Sequence, residues 1–284
     1  HPLFMVEYAF KKAKKLGKQT VVMGCGVGPL FKKIHQKSLF NILKYTDLLI
    51  LRDNHSKVLL ESLYKGLKNE IHVSLDPAVI CMSEYLNRNY FNEKDEPYIA
   101  VNLREFPSEY SKEDIGKRVN GQLQRFTQQL CDKYSENNIR LIPMHYFHVG
   151  GDDRIFLNSI KLDLECQNLS VQNKPLTLFE TMHVFKNAML NVGMRFHSVV
   201  FQTMLNGNNI ILDYTEPDKG KIGGFISDVD GNSFYQNRYI NLQNMEALDI
   251  SITDDINENK SFEVELNKLK EKTAIYHSLD NYLS

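Results

Sequence analysis

"NVGMRFHSVVFQTMLNG", residues 191–207, runs from the end of an apolar strand through Gly193 into a helix whose every third or fourth residue is apolar. "NIILDY", residues 209–214, follows at once as another apolar strand. A strand, a helix and a second near-continuous apolar strand indicate a parallel sheet covered on both faces. The first turn of this helix carries a guanidinium and an imidazole, Arg195 and His197. Isolated residues of these types usually snorkel to water or satisfy a nearby carbonyl. Here they stand where a strand ends and a helix begins. Unpaired N–H groups and the positive end of the helix dipole favour an anion there, and a planar guanidinium fork matches carboxylate or phosphate.

The same alternation extends in both directions. From Thr20 to Pro77 come "TVVMG", a helix from about Phe31 to Tyr45, "DLLILR", a helix from Ser56 to Lys65, and "IHVSLDP". "EYLNRNYFNEKDEP", residues 84–97, is polar, charged and ends in proline, as a linker does. A second series follows: "YIAVNLR", a helix from about Glu113 to Tyr134, "IRLIPM", a helix near Asp153 to Ile160, "AMLNV", the helix after Gly193, and "NIILDY". The expected fold is α/β, with two Rossmann-like parallel-sheet domains, residues 1–90 and 91–284, the second including a terminal amphipathic helix. In such sheets ligands bind outside the strand C-termini, so the two domains are expected to face a cleft there.

A chain of 284 residues is long enough for two cores. Its 34 lysines and arginines against 35 aspartates and glutamates leave a net charge of −1, so no positive field favours a nucleic-acid partner. Cys25, Cys81, Cys131 and Cys166 lie far apart with no C-x-x-C spacing, which points to reduced thiols in a cytosolic compartment and to no zinc or other metal site. No apolar stretch approaches the roughly twenty residues of a membrane span. The chain begins at His1 without an initiator methionine, and Val6 to Leu16 already reads as a helix, so a segment is expected upstream.

Several stretches place chemistry just after strands. "VVMGCGVGPL", residues 21–30, sets Gly24, Gly26 and Gly28 between a strand and a helix. As a dinucleotide fingerprint the spacing is poor, so a tight turn and a phosphate cradle both stay open. In "LILRDNHSKVLL" Arg52 precedes Asp53, with Asp53 or Asn54 as helix cap and Arg52 as its ion partner. Asp76 in "SLDPAVI" and Arg104 in "AVNLREF" each follow a strand and would face the cleft. "LIPMHYFHVGGDD", residues 141–153, brings His145 and His148 before Asp152 and Asp153, with either aspartate as helix cap and His145 as a candidate sugar or phosphate contact. "LDYTEPDKGKIGGF", residues 212–225, offers Glu216, Lys219 and Lys221 around glycines, a phosphate clamp or a solvated loop. Arg104, Arg195 and a lysine would hold a small molecule with two anionic groups, and His197 can exchange a proton near neutral pH.

These residues resemble the polysaccharide pyruvyl transferase family. The likeness is carried, in order and across nearly the whole chain, by "GVGPL", "LILRDNHS", "LDPAV", "VNLREF", "IPM" with its following aspartate, and "MRFHSVVFQTMLNG" leading to "IILDY" and a lysine. The resemblance implies a fold similar to two-domain glycosyltransferases of the B type, with the first domain N-terminally incomplete here. It also implies transfer of the enolpyruvyl unit of phosphoenolpyruvate onto two saccharide hydroxyls as a cyclic ketal. The family's Arg-x-His motif maps to Arg195, Phe196 and His197, and its arginine after the second domain's first strand maps to Arg104. Its lysine falls on Lys219 or Lys221, with "KIGGF" favouring Lys221.

By this resemblance His197 is the acid and base. Arg104, Arg195 and the helix N-terminus hold the carboxylate and the departing phosphate, and phosphoenolpyruvate serves as donor without a cofactor. The acceptor is a saccharide or lipid-linked oligosaccharide, and the expected place is the cytoplasm near the inner face of the membrane, with peripheral contact. A nucleotide-sugar-dependent glycosyltransferase and a catalytically silent glycan-binding protein are the alternatives on the same architecture.

Overall fold

The computed structural model describes residues 2–28, 30, 32–88, 96–110, 113–217, 220–256, 261–263 and 265–282. The chain divides into two compact units, His1–Ile80 with Glu265–Ser284, and Cys81–Val264. In the first unit α1 (Pro2–Lys15) precedes β1 (Val21–Cys25), α2 (Lys33–Lys44), β2 (Leu48–Leu51), α3 (Asn54–Leu63) and β3 (Ile71–Val73). The three strands pair in parallel in the order β1-β2-β3, and β2 is buried along its whole length. Leu43, Leu49, Leu51 and Leu60 form the core beneath it.

The stretch expected to act as a linker begins as a helix, α4 (Ala78–Asn87). Asp76 accepts from the Ala78 amide at 3.0 Å and so starts it, while Val79, Met82 and Tyr85 bury the face that holds it. Only residues 96 and 97 of the remaining linker, beyond Arg88, lie within the described part.

The second unit contains β4 (Tyr98–Asn102), α5 (Glu113–Lys133), β5 (Asn138–Leu141), α6 (Asp153–Leu164), β6 (Leu169–Val171) and α7 (Leu178–Asn187). It continues with β7 (Leu190–Gly193), α8 (Phe196–Leu205), β8 (Asn209–Asp213), α9 (Lys221–Val229) and β9 (Tyr239–Asn241). Its six strands are all parallel in the order β6-β5-β4-β7-β8-β9. Counted within the unit this is the doubly wound order 3-2-1-4-5-6, in which the chain reverses direction across the sheet between β4 and β7. α7 was not visible as apolar periodicity; it is set by a capping box in which Thr177 and Glu180 satisfy each other's backbone amides.

The terminal helix, α10 (Leu266–His277), belongs to the first unit, whereas the expected division had it in the second. Ser74 Oγ donates to Lys272 O at 2.6 Å and Tyr276 OH to Leu75 O at 2.7 Å, so the loop after β3 is where α10 docks. All four cysteines are thiols, and burial together with the neighbouring Cys166 pushes Cys131 up to about 12. Among the described residues no helix is long and apolar enough to cross a membrane.

Asn102, at the end of β4, is fully buried and holds the reversal point together. Its Nδ2 donates to Ile142 O beyond β5 at 2.8 Å, and its Oδ1 accepts from Arg195 N at 2.9 Å and lies 2.7 Å from Ser198 Oγ. Asn102→Ala should therefore lower the unfolding free energy measured in denaturant by about 1–3 kcal/mol for each buried group it strands. A change within 0.5 kcal/mol, the scale of an ordinary surface substitution, would show that these bonds are not what fixes the turn.

Candidate functional site

Beyond the paired residues Asn102 and Gly193, the chain after β4 and the chain after β7 run side by side. Met194 N donates to Asn102 O at 3.1 Å, and Arg104 N lies 3.4 Å from Met194 Sδ. Arg104 and Arg195 thus each stand two residues past a matched pair, at the reversal point where doubly wound sheets bind ligands.

α8 explains why His197 is conspicuous. Nine of its ten residues are buried, including the polar Ser198, Gln202 and Thr203, and His197 in the first turn is the exposed one. The helix is buried all round and not on a single stripe, so an exposed imidazole at its N-terminus is not a by-product of amphipathicity. The His197 ring meets Phe196 edge-on, with centroids 5.2 Å apart.

Arg195 does not snorkel to water. Its Nε donates to both carboxylate oxygens of Asp153 at 2.9 Å, and its Nη2 donates to Asp153 Oδ1 and, at 3.1 Å, to Gly151 O. Asp153 is the first residue of α6, and its side chain is only 1% exposed against 15% for Arg195. Asp153 Oδ2 also accepts the amides of Met144 and His145 at 3.0 Å. Removing either member of so buried a pair costs on the order of 3–5 kcal/mol. The α6 cap is Asp152, which accepts from Arg154 N and is held below the ordinary carboxylate range by the Arg154 guanidinium.

A second cluster centres on Tyr214, directly after β8. The Arg104 guanidinium lies 5.1 Å from the Tyr214 ring centroid, and Lys221 Nζ lies 5.9 Å from the centroids of both Tyr214 and Phe196. Arg104, Tyr214, Lys221, Phe196 and His197 therefore form one continuous chain of contacts, drawn from the ends of β4 and β8 and the starts of α8 and α9. Among the described residues no carboxylate pairs with Arg104 or Lys221. Lys221 is placed by the turn before it. Buried Asp213 accepts from Thr215 N at 2.7 Å and from Tyr239 OH, and Thr215 packs so tightly on Gly220 that a Cβ there would lie 1.7 Å from its Oγ1. Lys219 lies outside the described residues, and Glu216 is exposed on the same loop.

Next to these groups is a cavity of about 510 Å³, lined by Arg104, Arg195, Ser108, Asp152, Phe156 and the glycine pair 150–151, among others. Carboxylate, hydroxyl and ring surfaces of this kind suit a polyhydroxylated ligand. His145 is not among the lining residues and is turned back on its own loop: Nε2 lies 2.7 Å from Val149 O. His148 is exposed. Among the described residues no three His, Cys, Asp or Glu side chains are gathered as metal ligands.

In the first unit, Gly26, Arg52 and Asp76 also meet at strand C-termini, but there the guanidinium is paired with a carboxylate. Arg52 Nη1 donates to Asp76 Oδ2 at 3.0 Å, and a Cβ on Gly26 would lie 2.8 Å from Arg52 Nε, so the glycine is there to admit the guanidinium. Asp53 is the α3 cap, accepting from Ser56 N at 2.6 Å. Gly28 adopts φ +105°, a turn that a side chain would strain. Arg52 was expected to pair with the α3 cap; its near partner is Asp76, and Asp53 Oδ2 stands farther off, 3.8 Å from Nε.

Three residues essential to the arrangement escaped sequence reasoning: Asn102, Asp153 and Tyr214. Asp153 looked like a cap because a carboxylate opening a helix usually is one. Tyr214 was visible only as the end of an apolar strand. A polar residue inside an apolar strand, as Asn102 is in "YIAVNLR", was the available signal.

The chain matches the family model described as polysaccharide pyruvyl transferase over residues 7–216. No curated protein sequence matches it significantly. Among solved structures, it is similar to UDP-GlcNAc 2-epimerase from Methanocaldococcus jannaschii, at 12% identity over 97% of this chain and 74% of that one, with a TM-score of 0.60. It is also similar to UDP-GlcNAc 2-epimerase from Neisseria meningitidis, at 10% identity over 98% and 66%, TM-score 0.51. A trehalose-phosphate synthase from Burkholderia xenovorans aligns at 9% identity over 88% and 63%, TM-score 0.54. These likenesses identify the α/β fold of the glycosyltransferase B type, as expected from the sequence. With the family model covering well over half of its length, this chain belongs to the polysaccharide pyruvyl transferase family.

Proposed function

We propose that this protein transfers pyruvate from phosphoenolpyruvate to two hydroxyls of a saccharide, forming a cyclic ketal and releasing phosphate. The observation that carries the reading is the convergence of Arg104 and Lys221 on Tyr214, beside the N-terminus of α8 and the exposed His197. Two cations without a carboxylate partner among the described residues supply charge for a carboxylate and a phosphate, and the helix N-terminus adds oriented N–H groups. Family membership supports the same chemistry.

In this mechanism His197 delivers a proton to the methylene carbon of phosphoenolpyruvate, leaving an oxocarbenium-like centre at C2 that the first sugar oxygen attacks. The C2–O bond to phosphate then breaks, and the second sugar hydroxyl closes the ring. Of the two hydroxyl protons lost, one replaces the proton delivered to the methylene and the other leaves with phosphate. Arg104 and Lys221 oppose the charge that builds on the departing phosphate. The cavity beside Arg104 takes the acceptor sugar, with Phe156 against its C–H face and Ser108 and Asp152 within the polar lining.

Incubation with phosphoenolpyruvate and a panel of glycans and lipid-linked oligosaccharides should yield a pyruvate ketal by mass spectrometry. No product across the panel, together with no phosphoenolpyruvate binding by calorimetry, overturns the reading. A rise in melting temperature with a nucleoside diphosphate but not with phosphoenolpyruvate would instead select a nucleotide-sugar glycosyltransferase, because a ligand stabilises the fold that binds it.

Division of labour within the site is separately measurable. His197→Ala should keep phosphoenolpyruvate affinity within a few-fold and lose roughly a hundredfold or more in kcat, the scale of a general acid or base. Arg104→Ala and Lys221→Ala should each weaken phosphoenolpyruvate binding by about 1.5–3 kcal/mol, the worth of a charge-assisted hydrogen bond. Unchanged affinity in both would mean that the Tyr214 cluster is not where the anion sits.

A further inference from the structure

Arg195 presents a problem for anion binding. The guanidinium has five N–H donors, and three of them, on Nε and Nη2, are directed to Asp153 and Gly151 O. The planar edge that grips a carboxylate bidentately is already gripping one, and the pair as a whole carries no net charge. Two donors remain on Nη1, which has no hydrogen-bond partner among the described residues. Arg195 lines the cavity together with Arg104.

Asp153 is poorly explained as a purely structural aspartate. The helix-capping role belongs to its neighbour Asp152. Asp153 itself ties the loop after β5, through the Met144 and His145 amides, to the one arginine that follows β7. A side chain only 1% exposed that meets a guanidinium on one side and two amides on the other has a single orientation available.

We infer that Asp153 is a positioning residue that holds Arg195 by its Nε edge. The Nη1 edge is then offered to the reacting ligand as a directed donor, with its charge already balanced. The inference rests on the function proposed above for what the ligand is, but not for the arrangement itself. It separates two tasks that a pair of arginines at one site would otherwise share: Arg104 and Lys221 attract the anion, and Arg195, in the wall of the cavity, orients the ligand held there. A positioned donor acts on turnover more than on affinity, because orientation counts where bonds are being made. It also explains why a lysine should not replace Arg195: an ammonium cannot satisfy Asp153 and reach past it at once.

The first measurement needs no substrate. With ¹⁵N-arginine in the whole chain, the Arg195 Nε–H signal, assigned by its loss in Arg195→Lys, should exchange slowly with water and should disappear into fast exchange in Asp153→Asn. The second is a double-mutant cycle. Asp153→Asn keeps the side-chain shape and an oxygen for the two amides; it should lower kcat about tenfold to a hundredfold while the KM for phosphoenolpyruvate stays within about threefold. In an Arg195→Gln background the same substitution should cost less than about twofold. An equal loss in both backgrounds, or an Nε–H signal unchanged by Asp153→Asn, overturns the inference in favour of a role confined to the loop. Should Asp153→Asn not fold, Asp153→Glu, which moves the carboxylate one methylene outward, is read the same way. If the unsubstituted chain forms no ketal at all, the function proposed above fails, and the Nε–H signal decides Asp153 by itself.

Discussion

One buried carboxamide organises the second unit. A sheet that reverses its winding between β4 and β7 leaves a gap at the strand ends, where backbone donors and acceptors are no longer paired by neighbouring strands. Asn102 fills that gap, donating to Ile142 O while accepting from Arg195 N. An amide is the side chain for this task because it donates and accepts at once without carrying charge into a fully buried place. Every cation assigned to the site is positioned from segments that leave the sheet near this point or one strand further along.

Charge is distributed unevenly around that point. On one side Arg195 is matched by Asp153, and Arg154 by Asp152, so the wall of the cavity is close to neutral. On the other, Arg104 and Lys221 flank an aromatic ring, each cation–ring contact being worth about 0.5–1 kcal/mol when exposed and more when water is excluded. These two surfaces within one unit therefore differ in charge, one suited to a polyanion and the other to an uncharged polyhydroxylated molecule, with Arg104 common to both. The first unit shows the contrasting case. Its own arginine at a strand end, Arg52, is closed by Asp76, and the glycine beside it exists to make room for the guanidinium.

Much of this was legible in the chain. The parallel α/β class followed from apolar strands alternating with helices, and the B-type likeness and family membership agree with it. Most helices start within two or three residues of their expected positions. Elements carried by short apolar segments were not seen: β6 has three residues, and α7 is declared by a capping box and not by periodicity. The strand-end logic singled out Arg104, Arg195, His197 and Lys221 because position after a strand is a one-dimensional property. It could not say which arginine was already engaged, since Asp153 lies forty-two residues from Arg195 along the chain and reads locally as a cap.

Thus the sequence by itself determined the class of fold, the order of its strands along the chain, and which side chains stand at strand ends, because all three follow from local hydrophobic period and turn chemistry. Only the tertiary structure decided which of those side chains meet. It joined α10 to the first unit through Ser74 and Leu75, turned His145 back onto its own loop, brought Lys221 and Arg104 together at Tyr214, and gave Arg195 to Asp153. The physical reason is that an ion pair or cation–ring contact depends on distance in space, which the winding of the sheet sets and no spacing along the chain records.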